Sequence, residues 1–310
     1  MEADYSMDRS TEHGLLEFLS AFIVVNRLPE TLGYNVIYVV IGVGLAGTIE
    51  TGAVFLEYAD LLLVTFFAVL FSKMQASVAD AVHDYTVDKE NPEKSHIASA
   101  VDSIGERLLF TILIIELLAG IGLWGWVTFE TNTLFFLWVG VGSNLLGFVY
   151  SYPPRIKERG VLNHIVTTGV DVLGVVFPVA LVTGAVITPT FVVSLSIVFL
   201  YAFGYHVVHQ AADTASDRES GVSTFTQSIG ISESVWLAGV LTGIAAVLTA
   251  WLSHFATAAG LFVAAGAYAV LAHSIEDESP RTKCDRIARW FEIGPWAVGI
   301  NSLFAVHLFV

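Results

Sequence analysis

Cysteine is almost absent from this chain of 310 residues: there is one, Cys284. That count excludes an intramolecular disulfide and any cysteine-based zinc cluster. Basic residues are scarce too, 14 against 29 acidic ones, and only five of the 14 are lysine. No basic stripe exists on which a nucleic acid could lie, so nucleic-acid partners are not expected. The net charge of −15 suits a surface kept hydrated at high salt and predicts a halophilic prokaryotic host. Three catalytic signatures are missing: G-x-x-x-x-G-K, G-x-S-x-G and H-E-x-x-H. ATP-driven pumping, serine hydrolysis and zinc proteolysis therefore have no support. The N-terminus, MEADYSMDRSTEHG, lacks the basic start of a secretory signal. Long hydrophilic stretches are absent as well. Residues 1–310 thus read as a single domain, and nothing calls for an obligate protein partner.

What the chain has in abundance is apolar sequence. It is 55% hydrophobic and 14% charged, with a mean hydropathy of +0.70. A membrane-spanning helix needs about 20 apolar residues. Nine such segments are predicted, at 31–50, 60–80, 107–127, 132–150, 165–186, 189–211, 232–253, 255–274 and 289–309. The expected fold is therefore all-α, a polytopic bundle of about nine transmembrane helices. Short turns make 165–186/189–211 and 232–253/255–274 antiparallel neighbours. Residues 1–30 form an N-terminal segment whose stretch Leu15–Val25 is too short to span and is expected at the interface.

Orientation follows from the basic residues. Apart from Lys73 inside the second span, all fall in the N-terminal segment, in the loops after even-numbered spans or at adjoining helix ends. The loops near 51–59, 128–131, 187–188 and 254 hold none. By the positive-inside rule the N-terminus is cytoplasmic, in the cell membrane. Small residues such as Gly42, Gly44 and Gly47, or Gly120, Gly122 and Gly125, recur at spacings that let helices approach closely.

Two acidic ladders stand out against this background, about 130 residues apart. The first is Asp80-x-x-x-Asp84-x-x-x-Asp88 and the second is Asp213-x-x-x-Asp217. Each begins where an apolar run ends, on the side predicted cytoplasmic. Residues four apart share a helix face, so each ladder aims its anions in one direction. Such carboxylates repel one another and resist desolvation, and a bound cation relieves both costs. Mg²⁺ takes carboxylate oxygens while keeping waters and substrate phosphate oxygens. Lys89, Lys94, Arg155, Lys157, Arg159 and Arg218 lie in the same predicted layer, where a diphosphate would draw on both metal and cations. The competing reading is a divalent-cation transporter, for which His209-x-x-x-Asp213 is the best feature. Transporter ligands belong near the bilayer midplane, however, and cation binding alone gives no use to the basic loops.

These residues resemble the UbiA-type intramembrane prenyltransferases. That family's first motif reads N-D-x-x-D-x-x-x-D before a short Asn/Pro/basic tail. Here the string is Asp80-Ala81-Val82-His83-Asp84-Tyr85-Thr86-Val87-Asp88, then Asn91-Pro92-Glu93-Lys94. Its second motif, D-x-x-x-D-x-x-x-G-x-x-T, is matched by Asp213, Asp217, Gly221 and Thr224. The Y-S-x-P-x-x-x-K segment is matched by Tyr150, Ser151, Pro153 and Lys157, and Arg27-Leu28-Pro29 is similar to an Arg-Pro entry. Two departures stand out: Asp80 and Ala81 replace Asn and Asp, and the basic tail is short.

The resemblance implies a cytoplasmic-side polar active site. Mg²⁺ would be held by Asp80, Asp84, Asp88, Asp213 and Asp217, with the last four of these catalytic as well. Lys94, Tyr150, Arg155 and Lys157 would bind the diphosphate, and Arg27 would sit on the acceptor side. The implied partners are an isoprenyl diphosphate, geranylgeranyl or similar, a lipophilic acceptor and the bilayer. The acceptor stays open among quinone or aromatic, ether-lipid and carotenoid classes. Among the other polar residues, His209 is either a base or soft-metal ligand, or a hydrogen-bonded helix histidine. Lys73 either reaches the diphosphate or snorkels. Glu116 and Asp171 are intramembrane acids, which serve function, line a polar cavity or pair with Arg107. His83, beside Asp84, is given no role.

Overall fold

The computed structural model describes residues 6–46, 56–91, 94–219, 221–291 and 294–309. No strand occurs among them. Pro92 and Glu93 of the first motif's tail, and Gly47, lie outside the described residues. The chain gathers into two compact units: the described parts of Met1–Asn35 with Phe66–Pro154, and those of Val36–Thr65 with Arg155–Val310.

The helices in chain order begin with α1 Ser6–Val25, α2 Leu28–Leu45, α3 Ala59–His83, α4 Tyr85–Glu90 and α5 Ser95–Ile104. They continue with α6 Glu106–Thr131, α7 Phe135–Ser151, a 3₁₀ turn Ile156–Glu158, and α8 Val161–Asp171. A π-helical turn, Val172–Val176, joins α8 to α9 Phe177–Val182. Then come α10 Pro189–Glu219, α11 Phe225–Ile229, α12 Ile231–Trp251, α13 Phe255–Ser274, α14 Pro280–Phe291 and α15 Pro295–Phe309.

Among the described residues, seven helical stretches are long and apolar enough to cross a membrane: α2, α3, α6, α8 through α9, α10, α12 and α13. The fourth and ninth predicted segments also fall on helices, α7 and α15, but these have only 17 and 15 residues. At ~1.5 Å per residue they are about 25 and 22 Å long, short of a hydrocarbon core of about 30 Å. α10 departs the other way. Its 31 residues make a rod of about 46 Å, and the second acidic ladder sits in its last three turns.

Within the first unit, α1 packs on α5 and α6 packs on α7. Ala21 and Val25 of α1 meet Val78 and Ala81 of α3, Ile97, Ala100 and Ile104 of α5, and Leu109 and Ile112 of α6 in one apolar cluster. Leu15, Leu16, Leu19 and Ile23 remain exposed on α1, as an interfacial helix requires. Deeper in this unit the contacts are close and partly polar. Asn144 Nδ2 donates to Ser72 Oγ at 3.0 Å, and Gly120 leaves room for both side chains. Gly122 and Gly125 face open space, so only one glycine of that trio serves packing. Trp126, Phe129, Leu134 and Trp138 are exposed around the α6–α7 turn, where an aromatic belt is expected.

In the second unit α12 packs on both α10 and α13, α13 packs on α15, and α14 lies along α10. Val208 and Ala211 of α10, Val235 and Ala238 of α12, Tyr268 and Leu271 of α13, and Ile287 of α14 form its core. Gly42 of α2 belongs to this unit, and a Cβ there would collide with Val179 of α9. α8 also packs on α10, as the short predicted turn requires.

Candidate active site

The first acidic ladder is not one straight helix face. α3 ends at His83, Asp84 adopts φ −90° and ψ 4°, and α4 starts at Tyr85. The i to i−4 pattern nevertheless carries through the bend. The Asp84 amide donates to the Asp80 carbonyl at 2.9 Å and the Asp88 amide to the Asp84 carbonyl at 2.8 Å. The three carboxyls therefore keep their four-residue spacing while the helix axis turns.

Each carboxyl has a different setting. Asp80 is braced: Arg27 Nη2 donates to Oδ2 at 2.9 Å, and Ser151 Oγ donates to Oδ1 at 2.5 Å. Arg27 itself occupies the left-handed turn between α1 and α2, at φ +47°. Asp84 Oδ1 lies 3.0 Å from His83 Nδ1, and the His83 ring meets Tyr152 edge-on. Asp88 is 4% exposed. Burial pushes its carboxyl above the usual range, Lys94 pulls it down, and Asp84 and Asp80 push it up again. A buried acid with acidic neighbours is a group that a cation would stabilise.

A clasp on the surface holds α4 against α5. Tyr85 Oη donates to Asp102 at 2.6 Å, and Lys89 Nζ donates to Tyr85 Oη at 2.7 Å. These bonds hold the Asp102 carboxyl below its ordinary range.

The second ladder lies on uninterrupted helix. Asp213 and Asp217 project from the last turns of α10, and Gly221 then takes φ +74° while its amide caps Arg218. A residue with a Cβ is strained there, so the glycine at that position of the motif serves the turn. The threonine at the motif's end has a structural use as well. Thr224 Oγ1 meets Thr226 Oγ1 at 3.2 Å, Thr226 Oγ1 meets Thr214 Oγ1 at 2.7 Å, and the Thr226 amide donates to Gln210 Oε1 at 3.3 Å. Gln210 Oε1 also lies 3.0 Å from His164 Nε2 on α8. The loop after the ladder is thus folded back and tied to α10. Of these residues, Gln210, Thr214, Thr226 and His164 carried no signal in sequence spacing.

Arg155 takes φ +55° and pairs with Glu158 at 3.0 Å, and Lys157 sits in the 3₁₀ turn one residue before Glu158. Tyr150 is half-buried in the last turn of α7, and Lys94 is the N-cap residue of α5. His209 is exposed with Tyr205 stacked at 6.3 Å. Glu116 is buried while Arg107 is exposed, so these two do not pair. Asp171 Oδ2 lies 2.8 Å from His206 Nε2.

No group of three His, Cys, Asp or Glu side chains close enough to hold a metal occurs among the described residues. Mg²⁺ does not require one: one or two carboxylates suffice when waters and substrate phosphate oxygens complete its octahedron. Asp84 with Asp88, and Asp213 with Asp217, are hard-oxygen sets of that size.

A profile of the UbiA prenyltransferase family matches residues 35–293. Comparison with curated protein sequences finds no significant match. Among solved structures, one described as giving insights into digeranylgeranylglyceryl phosphate synthase in membranes is 14% identical, with a TM-score of 0.67. It covers 95% of this chain and 100% of its own. A UbiA homologue from Archaeoglobus fulgidus, bound to GPP and Mg²⁺, is 19% identical at TM-score 0.64, covering 94% of this chain and 100% of its own. The apo form of a UbiA homologue from Aeropyrum pernix K1 is 14% identical at TM-score 0.61, covering 90% and 95%. Neither fold nor family lends support to a divalent-cation transporter. The family match runs through most of both units, and with it the chain is placed: it belongs to the UbiA prenyltransferase family and is a prenyltransferase.

Proposed function

We propose that this enzyme transfers an isoprenyl group, geranylgeranyl or similar, from its diphosphate to a lipophilic acceptor within the membrane. The observation that carries the reading is the pair of acidic sets in a chain of this family: Asp84 and Asp88 at the bent end of α3, Asp213 and Asp217 at the end of α10. Bound there, Mg²⁺ would supply Lewis-acid neutralisation of the departing diphosphate. That use of the metal is supported by the Mg²⁺ and GPP in the Archaeoglobus homologue.

The chain's own residues do the rest. Lys94, Arg155, Lys157 and Tyr150 bind the diphosphate oxygens and stabilise the charge that grows as the C–O bond breaks. Asp80 holds Arg27 toward the acceptor side, and through Ser151 it ties the end of α7 to α3. The apolar helices keep water from the allylic cation and house the isoprenyl tail. The nine segments act as one functional domain in the cell membrane, with the N-terminus and both acidic sets on the cytoplasmic side, a placement that the distribution of basic residues supports. An acid-rich, lysine-poor surface fits a halophilic prokaryote. The acceptor is a membrane lipid of the quinone or aromatic, ether-lipid or carotenoid class.

The test is direct. Purified protein in lipid nanodiscs, given radiolabelled geranylgeranyl diphosphate, Mg²⁺ and a total lipid extract, should yield a labelled lipid. EDTA should abolish it.

A further inference from the structure

Prenyl transfer has a second half that metal and cations do not serve. When the acceptor's electron pair closes on C1 of the allylic cation, an acceptor hydroxyl or carbon carries a proton that must leave. A base is needed near C1, away from bulk water.

One side-chain pair meets that description. His206 of α10 and Asp171 at the end of α8 are joined at 2.8 Å, inside helices apolar enough to span a membrane. The imidazole keeps 17% of its side-chain surface accessible and the carboxyl 9%, although Tyr205, Val207 and Val208 beside His206 are buried. The imidazole edge therefore borders open space instead of being sealed in packing. His206 precedes Asp213 by seven residues on one unbroken helix. Seven residues turn a helix through almost two whole revolutions, so His206 shares the face of Asp213. It lies about 10 Å deeper along the axis. A donor anchored at Asp213 would bring C1 to the level of the imidazole.

Two further observations argue against a mere clasp between helices. Where the first unit needs polar glue at depth, it uses the neutral pair Asn144–Ser72. An ionisable pair costs more in the membrane and is a functional hypothesis by default. Asp171 also abuts the π-helical turn Val172–Val176, and such turns concentrate at functional sites.

We infer that Asp171 and His206 form the proton-accepting dyad of the transfer, a role that rests on the prenyltransferase reading above. In the neutral imidazole that such a role needs, Nε2 of His206 donates to the Asp171 carboxylate and Nδ1 is the nitrogen left to accept a proton. The C1–O bond breaks with its electron pair leaving on the diphosphate. The acceptor's pair forms the new bond to C1, and the acceptor's proton passes to Nδ1. Asp171 stabilises the imidazolium so formed.

The experiment measures, for one protein in nanodiscs, both diphosphate released and labelled lipid formed from geranylgeranyl diphosphate with a total lipid extract. Wild type should form about one lipid per diphosphate. His206→Gln keeps an amide donor where Nε2 sits, and so keeps the clasp, but it has no base. It should still release diphosphate, while lipid formed per diphosphate falls by at least about ten-fold and prenyl alcohol or diene appears instead. Asp171→Asn should lower the same ratio to a lesser degree. If His206→Gln couples as wild type does, the dyad is a structural clasp and the inference fails. If wild type itself neither releases diphosphate nor forms lipid, the prenyltransferase reading fails instead.

Discussion

The two acidic motifs resemble each other in spacing and differ in construction. The first sits where a helix bends, at Asp84, and its carboxyls are engaged by the protein: Asp80 by Arg27 and Ser151, Asp84 by His83. These partners come from three separate stretches of chain, and a surface clasp of Tyr85, Lys89 and Asp102 holds α4 in place. The second motif sits on 31 residues of continuous helix, and its bracing lies behind it, in Gln210, Thr214, Thr224 and Thr226. A continuous helix sets the direction in which its residues project by its own geometry. A bend must be braced by long-range contacts. The difference teaches that equal carboxylate spacing need not mean equal surroundings: Asp80 is tied to Arg27 and Ser151, and we propose that Asp84, Asp88, Asp213 and Asp217 are the ones that hold the metal.

The largest expected effects test that division. Asp84→Ala and Asp217→Ala should each lower kcat by at least about 100-fold, about 2.7 kcal/mol of transition-state stabilisation, with yield and folding nearly intact. Asp80→Asn should cost far less in kcat, because asparagine still accepts from Ser151. If Asp80→Asn were as inactive as Asp84→Ala, the two carboxyls would be equivalent and the comparison would collapse.

Next in size is the loop after α7. Lys157→Ala should lower kcat by more than ten-fold, at least about 1.4 kcal/mol, while Arg159→Ala should do little. Equal and small effects at both positions would leave this loop as a topology signal only.

Arg27→Ala removes the ion pair to Asp80. Arg27 is 42% exposed in its side chain, so solvent screens the pair, and a stability loss of about 1 kcal/mol or less is expected. The Tm of the nanodisc-held protein reads that change. A loss of several kcal/mol would make Arg27 a keystone of the first unit and not only a tether.

The smallest effect concerns the surface clasp. The Asp102 carboxyl is held below its ordinary range by Tyr85 and Lys89. An acid with a depressed native pKa contributes stability above its unfolded pKa and loses it as pH falls through the native value. Tyr85→Phe should therefore lower Tm slightly at neutral pH, and the difference from wild type should shrink as pH drops below the ordinary carboxylate range. A gap that widened in acid would assign the clasp some other origin.

Much of this was legible in sequence because membranes impose strong, local signals. Runs near 20 apolar residues located a helix at each predicted segment, and the spacing of Asp213 and Asp217 was read on a helix that proved continuous. The helix break at Asp84 was not legible, since i to i−4 spacing looks the same on either side of a bend that preserves it. The contact of His83 with Asp84 is illegible for the same reason, because adjacent residues on a straight helix point apart. Arg27, Asp80 and Ser151 are 53 and 71 residues apart in sequence, and no local pattern joins them. His209 stands at a four-residue step from Asp213 and His206 at an equally valid seven-residue step, so spacing alone does not separate them. Partner identity decides between such steps, and Asp171 is 35 residues from His206.

The central claim is that both acidic motifs serve one metal-dependent transfer. Its most direct test is labelled geranylgeranyl diphosphate turned over by the purified enzyme across a Mg²⁺ titration, in wild type, Asp84→Ala and Asp217→Ala. The account predicts labelled lipid that rises with Mg²⁺ in wild type, vanishes with EDTA and is lost in both variants. Full turnover in EDTA, or in either variant, would contradict it.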